Sequence, residues 1–190
     1  TPRVVQHKQT LLWVATSDRE HEIGEALAVA LRIHGVYVVV QDLVQPTSES
    51  VSNAYRKLRG AGGKAMTSCY VGGVGLGGAI AASVPLTEAR DGLRGRIAIG
   101  ASLSGSSLAK LSNRTVAAVT DGLNNSRLLS VLGDQDSRSM RSESMRLARS
   151  LMRGGQEAHL VELPSTTAAA AFLNRMRPDQ SCSRPWTRTS

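Results

Sequence analysis

Six short apolar or β-branched runs, separated by helix-periodic and glycine-rich segments, constrain this 190-residue chain more than any other feature. They are TLLWVAT (Thr10–Thr16), VYVVVQDL (Val36–Leu43), Cys69 to Val71, RIAIGASL (Arg96–Leu103), RLLSVLGDQD (Arg127–Asp136) and EAHLVELP (Glu157–Pro164). Between the first two, Ile23, Leu27, Ala30, Leu31 and His34 recur at helical spacing and Gly35 supplies a stop. Residues 137–153 form an Arg-rich amphipathic segment with Met140, Ser144, Leu147, Ala148 and Leu151 on one face, ending at Gly154-Gly155; a short helix is expected in TTAAAAFLNRM. The continuous valines of VYVVVQDL predict a strand buried on both faces. Strands alternating with helices predict an α/β domain: one mostly parallel, twisted sheet with helices on both sides.

The segment VGGVGLGGAIAA (71–82) has the shape of a nucleophile elbow, G-x-S-x-G, in which flanking glycines permit a sharp turn from strand to helix and lift a serine above the sheet. Gly75 stands where the serine belongs. The same glycines match a dinucleotide fingerprint at Gly73, Gly75 and Gly78, but no acidic residue ends the next strand, where Ala101 and Ser102 stand. A tight turn packing a helix on the sheet is the preferred reading, and no cofactor is implied.

In order and spacing, VYVVVQDL, VGGVGLGGAIAA and LLSVLGDQDSRSMRSESMRLARSLMRGGQEAHLVELP resemble the α/β-hydrolase superfamily over residues 10–176. The resemblance implies a reduced form of that fold without a lid. It puts the nucleophile position on Gly75, the acid on Asp136 (or Asp134), the base near Ala168 to Ala171 and the oxyanion loop on Ala15-Thr16-Ser17-Asp18. Glycine cannot attack a carbonyl, and no histidine follows His159. A second frame, RIAIGASLSGSSLA, would make Ser102 the nucleophile. It lacks the second glycine, replaced by Ser104, and lies roughly thirty residues before Asp136, near the minimum for a βαβ crossover. Gly75 leaves roughly twice that length and is the preferred frame.

His21, His34 and His159 show no metal-ligand spacing, so no metal site is expected. Cys69 and Cys182 belong to no paired motif. The sequons at Asn113 and Asn124 carry little meaning without a secretory signal. Asp134 and Asp136 also fit a simple turn ahead of a helix N-terminus, where negative charge is favourable.

Lys and Arg number 23 against 15 Asp and Glu, for a net charge of +8. Within 137–153 the excess falls on Arg138, Arg141, Arg146, Arg149 and Arg153. Arg138, Arg141, Arg149 and Arg153 are the candidate binding residues, suited to carboxylate, phosphate or an RNA backbone. Aromatic residues are not interleaved with them, which disfavours base-specific recognition. No run is long enough to span a bilayer. A cleaved presequence, and with it an intracellular, mitochondrial location, would suit the arginine-rich composition. Residues 1–9 are expected to be an N-terminal extension and 177–190 a flexible basic tail. These features lead to the expectation of a catalytically inactive structural or binding subunit of a larger protein assembly. The alternative is a serine hydrolase of small esters or acyl groups that uses Ser102.

Overall fold

A computed structural model of the protein describes residues 9–43, 47–62, 68–84, 93–112, 127–168 and 170–171. The elements run β1 (Gln9–Ala15), α1 (Asp18–Arg32), β2 (Val36–Asp42), α2 (Ser48–Gly62), β3 (Ser68–Val74), α3 (Gly75–Ser83), β4 (Leu93–Ile99), α4 (Gly105–Ser112), β5 (Arg127–Gly133), α5 (Arg138–Arg153) and β6 (Ala158–Leu163). The strands form one six-stranded sheet in the order β2-β1-β3-β4-β5-β6, with every neighbouring pair parallel. The predicted single-domain α/β architecture is therefore what the chain adopts. Of the expected extension at 1–9, Gln9 opens β1 and residues 1–8 lie outside the described residues, as do the tail at 177–190, Cys182 and both sequons.

Side-chain alternation along β1 divides the core. Leu11, Trp13 and Ala15 pack with Ile23 and Leu27 of α1, whereas Leu12 and Val14 pack with Val51 and Tyr55 of α2 and Ile80 and Ala81 of α3. Further along the sheet, Ala98 and Leu128 meet Leu108 of α4 and Ala148 and Leu151 of α5. With one Phe, two Trp and three Tyr in the chain, aliphatic and alanine contacts carry most of this burial. Arg96 lies inside that core at 1% exposure; its guanidinium donates to Val84 O at 2.7 Å, and burial lowers its pKa to about 10.

Two expectations about strands need correction. VYVVVQDL is only half-buried: Val36, Val38 and Val40 pack on the α1 side and Val39 on the α2 side, but β2 ends the sheet order, Val38 alone falls among the buried residues, and Tyr37 is 52% exposed. A valine run reports compatibility with a sheet and does not say whether a neighbour lies on both sides. The fourth strand covers Leu93–Ile99 rather than Arg96–Leu103, because Gly100 turns at φ +54 and ends it.

Because all six strands are parallel, their carboxyl ends emerge on one edge. The chain passes from β1 outward to β2 and then returns to β3 on the other side of β1. That reversal opens a crevice between the ends of β1 and β3, the position at which sheets of this kind place their ligands.

Candidate active site

The crevice is filled from within. Ser17 caps α1 by accepting from Glu20 N at 3.3 Å, and Trp13 Nε1 donates to Glu20 O at 2.9 Å, which fixes the first helical turn against β1. Glu20 stands where a capping box puts its acid, but its side chain reaches one residue further back. Its Oε2 accepts from Thr16 N at 2.6 Å and from Thr16 Oγ1 at 2.8 Å. The same carboxylate lies over the first turn of α3. A Cβ on Gly75 would lie 3.6 Å from Glu20 Oε1, and one on Gly77 would lie 3.2 Å from Oε2. Helix α3 has no acidic residue in its own first turn and no side-chain cap, so Glu20 supplies the negative charge that a helix N-terminus favours.

Gly75 opens α3 directly from β3 at φ +53. The chain therefore makes the expected elbow turn there, with a carboxylate beside it and no hydroxyl on it. Glu20 was not foreseen from the sequence; the one available signal was its place three residues after Ser17.

The acid loop is occupied by backbone donors. Asp136 Oδ2 accepts from Gly133 N at 2.7 Å and Ala168 N at 3.2 Å, while Asp134 accepts from Ser165 N at 2.7 Å and Thr166 N at 3.1 Å. The Ser165 amide, with those of Thr166 and Gln135 and the Arg141 charge, holds the Asp134 carboxyl below the usual carboxylate range. Asp136 thus lies next to Ala168, in the stretch where the base was expected, and its described partners are amide N–H groups. Both carboxylates tie the loop after β5 to the segment after β6.

Ser102 lies between Gly100 and α4. Its Oγ donates to Glu143 Oε2 at 3.0 Å, and the next residue on α5, the fully buried Ser144, donates to Ala101 O at 3.4 Å. Sequence reasoning missed Glu143 too, although it is the single acidic residue among the five arginines of α5.

The four candidate binding arginines do not form one equivalent set. Arg138, Arg149 and Arg153 are exposed, whereas Arg141 is paired with Glu162 and donates to Asp134 O at 3.1 Å. Among the described residues, no helix is long and apolar enough to cross a membrane.

At the β2 end of the same edge, His21 Nδ1 lies 2.8 Å from Asp42 Oδ1, and its Nε2 lies 3.9 Å from Glu25. The hydrogen bond to Asp42, reinforced by the charges of Asp42, Glu25 and Asp18, raises the His21 pKa above 6.5. A raised folded-state pKa contributes stability that is fully present below 6.5 and is lost as pH rises through the folded value. Thermal melts of wild type and Asp42→Asn should therefore differ most below that pH and converge in mildly alkaline buffer. A constant difference across the range would contradict the assignment.

No protein-family model matches the chain, and no curated protein matches it in sequence. Solved structures do match. The esterase domain of a Rhodothermus marinus protein superposes with a TM-score of 0.65 at 14% identity, covering 92% of this chain and 83% of that one. Carboxyl esterase 2 of Tuber melanosporum gives 0.63 at 17%, covering 89% and 72%. A fluorophosphonate-binding serine hydrolase of Staphylococcus aureus gives 0.62 at 12%, covering 89% and 82%. Likeness at such identity speaks to fold. These neighbours overturn the expectation of an inactive structural subunit, since they are esterases and a serine hydrolase, and they favour the alternative reading. The physical reason the expectation failed is that it preferred the empty elbow at Gly75 to the second frame at Gly100, whose serine had no visible base because the carboxylate of Glu143 reaches it from a helix 41 residues further along the chain. Six parallel strands in this order, with an elbow after β3 and an acid loop after β5, give the chain the α/β-hydrolase fold.

Proposed function

We propose that this protein is a serine hydrolase of small esters or acyl groups, with Ser102 as its nucleophile. The observation that carries the reading is the Ser102 hydroxyl at the carboxyl edge of the sheet, its proton already directed to a carboxylate oxygen at 3.0 Å. A serine hydroxyl is a weak nucleophile until a base within hydrogen-bond reach takes its proton, and the apo distance is already within that reach. Two central strands, β3 and β4, end on left-handed glycines at this edge, and only the second is followed by such a hydroxyl. The first is covered by Glu20, whose negative charge would repel the oxyanion that forms in acyl transfer.

Incubation with a fluorophosphonate probe should label Ser102, and p-nitrophenyl acetate should turn over. Ser102→Ala should abolish both while leaving the melting temperature within a few degrees, since Ser102 is only half-buried. Esterase activity that survives Ser102→Ala, or failure of the folded wild type to react, would remove the proposal.

A further inference from the structure

The geometry points to Glu143 as the general base of this site, taking the place that histidine holds in most serine hydrolases. The inference rests on the reading of Ser102 as nucleophile. It starts from how Glu143 is held. Helix α5 buries Ser144, Ala148 and Leu151 against the sheet, and Ser144 Oγ bonds to Ala101 O, one residue before Ser102. Glu143 is the neighbour of that anchor, so its carboxylate is delivered to Ser102 by a packed helix. Its acidity also breaks the character of α5, where the other charged residues are arginines.

None of the described histidines can serve. His34 precedes β2 and His159 is the second residue of β6, so both lie toward the amino edge of the sheet. His21 is on the carboxyl edge but is bound to Asp42 at the end of β2, three strands from β4. At ordinary strand spacing that is about 14 Å, too far for a proton transfer.

In the proposed reaction, Ser102 Oγ forms a bond to the acyl carbon as its proton passes to Glu143. The bond from that carbon to the leaving oxygen or sulfur then breaks, and Glu143 returns the proton to the leaving group. Water next attacks the acyl carbon and gives a proton to Glu143, which passes it to Ser102 Oγ as the acyl–oxygen bond breaks. Atoms and protons balance without a co-reactant. A carboxylate is a weaker base than imidazole and gives less driving force for proton removal, so turnover depends on a good leaving group. The expected substrates are aryl esters and thioesters, with simple alkyl esters much poorer.

The test uses the full chain and p-nitrophenyl acetate. Glu143→Gln keeps an oxygen that can accept from Ser102 but cannot take its proton; it should lower kcat by about 100-fold with KM little changed. In Glu143→Ala, added formate should restore part of the lost rate, a response that a merely structural role would not give. Ser102-dependent turnover that is indifferent to Glu143→Gln, or that formate fails to restore in Glu143→Ala, would overturn Glu143 while leaving Ser102 in place. Turnover that is independent of Ser102, or absent, would overturn both.

Discussion

Alanine at position 133 is expected to remove much of the folding stability, on the order of 3 kcal/mol. Gly133 is the last residue of β5, and a Cβ there would lie 2.0 Å from Thr166 O, 2.7 Å from Ala168 N and 2.7 Å from the Thr167 carbonyl carbon. All three are main-chain atoms, so no rotamer change can relieve the clash. The segment after β6 would have to retreat, and four amide hydrogen bonds to Asp134 and Asp136 hold the two loops and β5 together. Asp136→Ala is the companion variant: it leaves Gly133 N and Ala168 N without their acceptor, at about 1–3 kcal/mol for each amide left unsatisfied and buried. Urea denaturation measures both. If Gly133→Ala unfolds at the wild-type midpoint, the close approach of these loops is not present in solution.

These loops also mark what could and could not be read from the chain. Period and composition were enough for elements that follow from local pattern. The helix expected at 137–153 is α5, and its stripe of Ser144, Ala148 and Leu151 is the face it buries. The turn at Gly75 followed from the glycine pattern of a single segment, and the placing of an acid at Asp136 or Asp134 from the resemblance to the α/β-hydrolases. The two glutamates of the site did not, because their meaning depends on strand order. Glu20 meets Gly75 only because β3 is laid beside β1, and Glu143 meets Ser102 only because α5 packs across the end of β4. No window of sequence holds both members of either pair. The edge position of β2 was hidden for the same reason: sheet order decides which valines lose their outer neighbour. Preferring the Gly75 frame to the Ser102 frame followed directly from this, since a serine without a visible base looked inert.

The glycines of the elbow are expected to separate steric from torsional cost. Gly77→Ala should destabilise the fold by on the order of 3 kcal/mol, because its Cβ would lie 2.5 Å from Val14 O in the buried strand β1 and 3.2 Å from Glu20 Oε2. Gly75→Ala should cost only about 1–2 kcal/mol, the usual penalty for a side chain in the left-handed region, since its φ is +53 and its Cβ has 3.6 Å of room to Glu20. Gly75→Asn should cost less still, as asparagine tolerates that region. Chemical denaturation of the three variants gives the order, and a Gly75→Ala variant less stable than Gly77→Ala would contradict it. Gly75→Ser adds the functional arm. The new hydroxyl would sit beside a carboxylate already accepting two hydrogen bonds from Thr16, while Asp136 remains bound to Gly133 and Ala168. No oxyanion can form next to Glu20 without the repulsion of a second negative charge, so esterase turnover should stay at the wild-type level and remain sensitive to Ser102→Ala. Turnover that instead moved to position 75 would place the reaction centre at the β3 elbow, with Glu20 or Asp136 free to change partners.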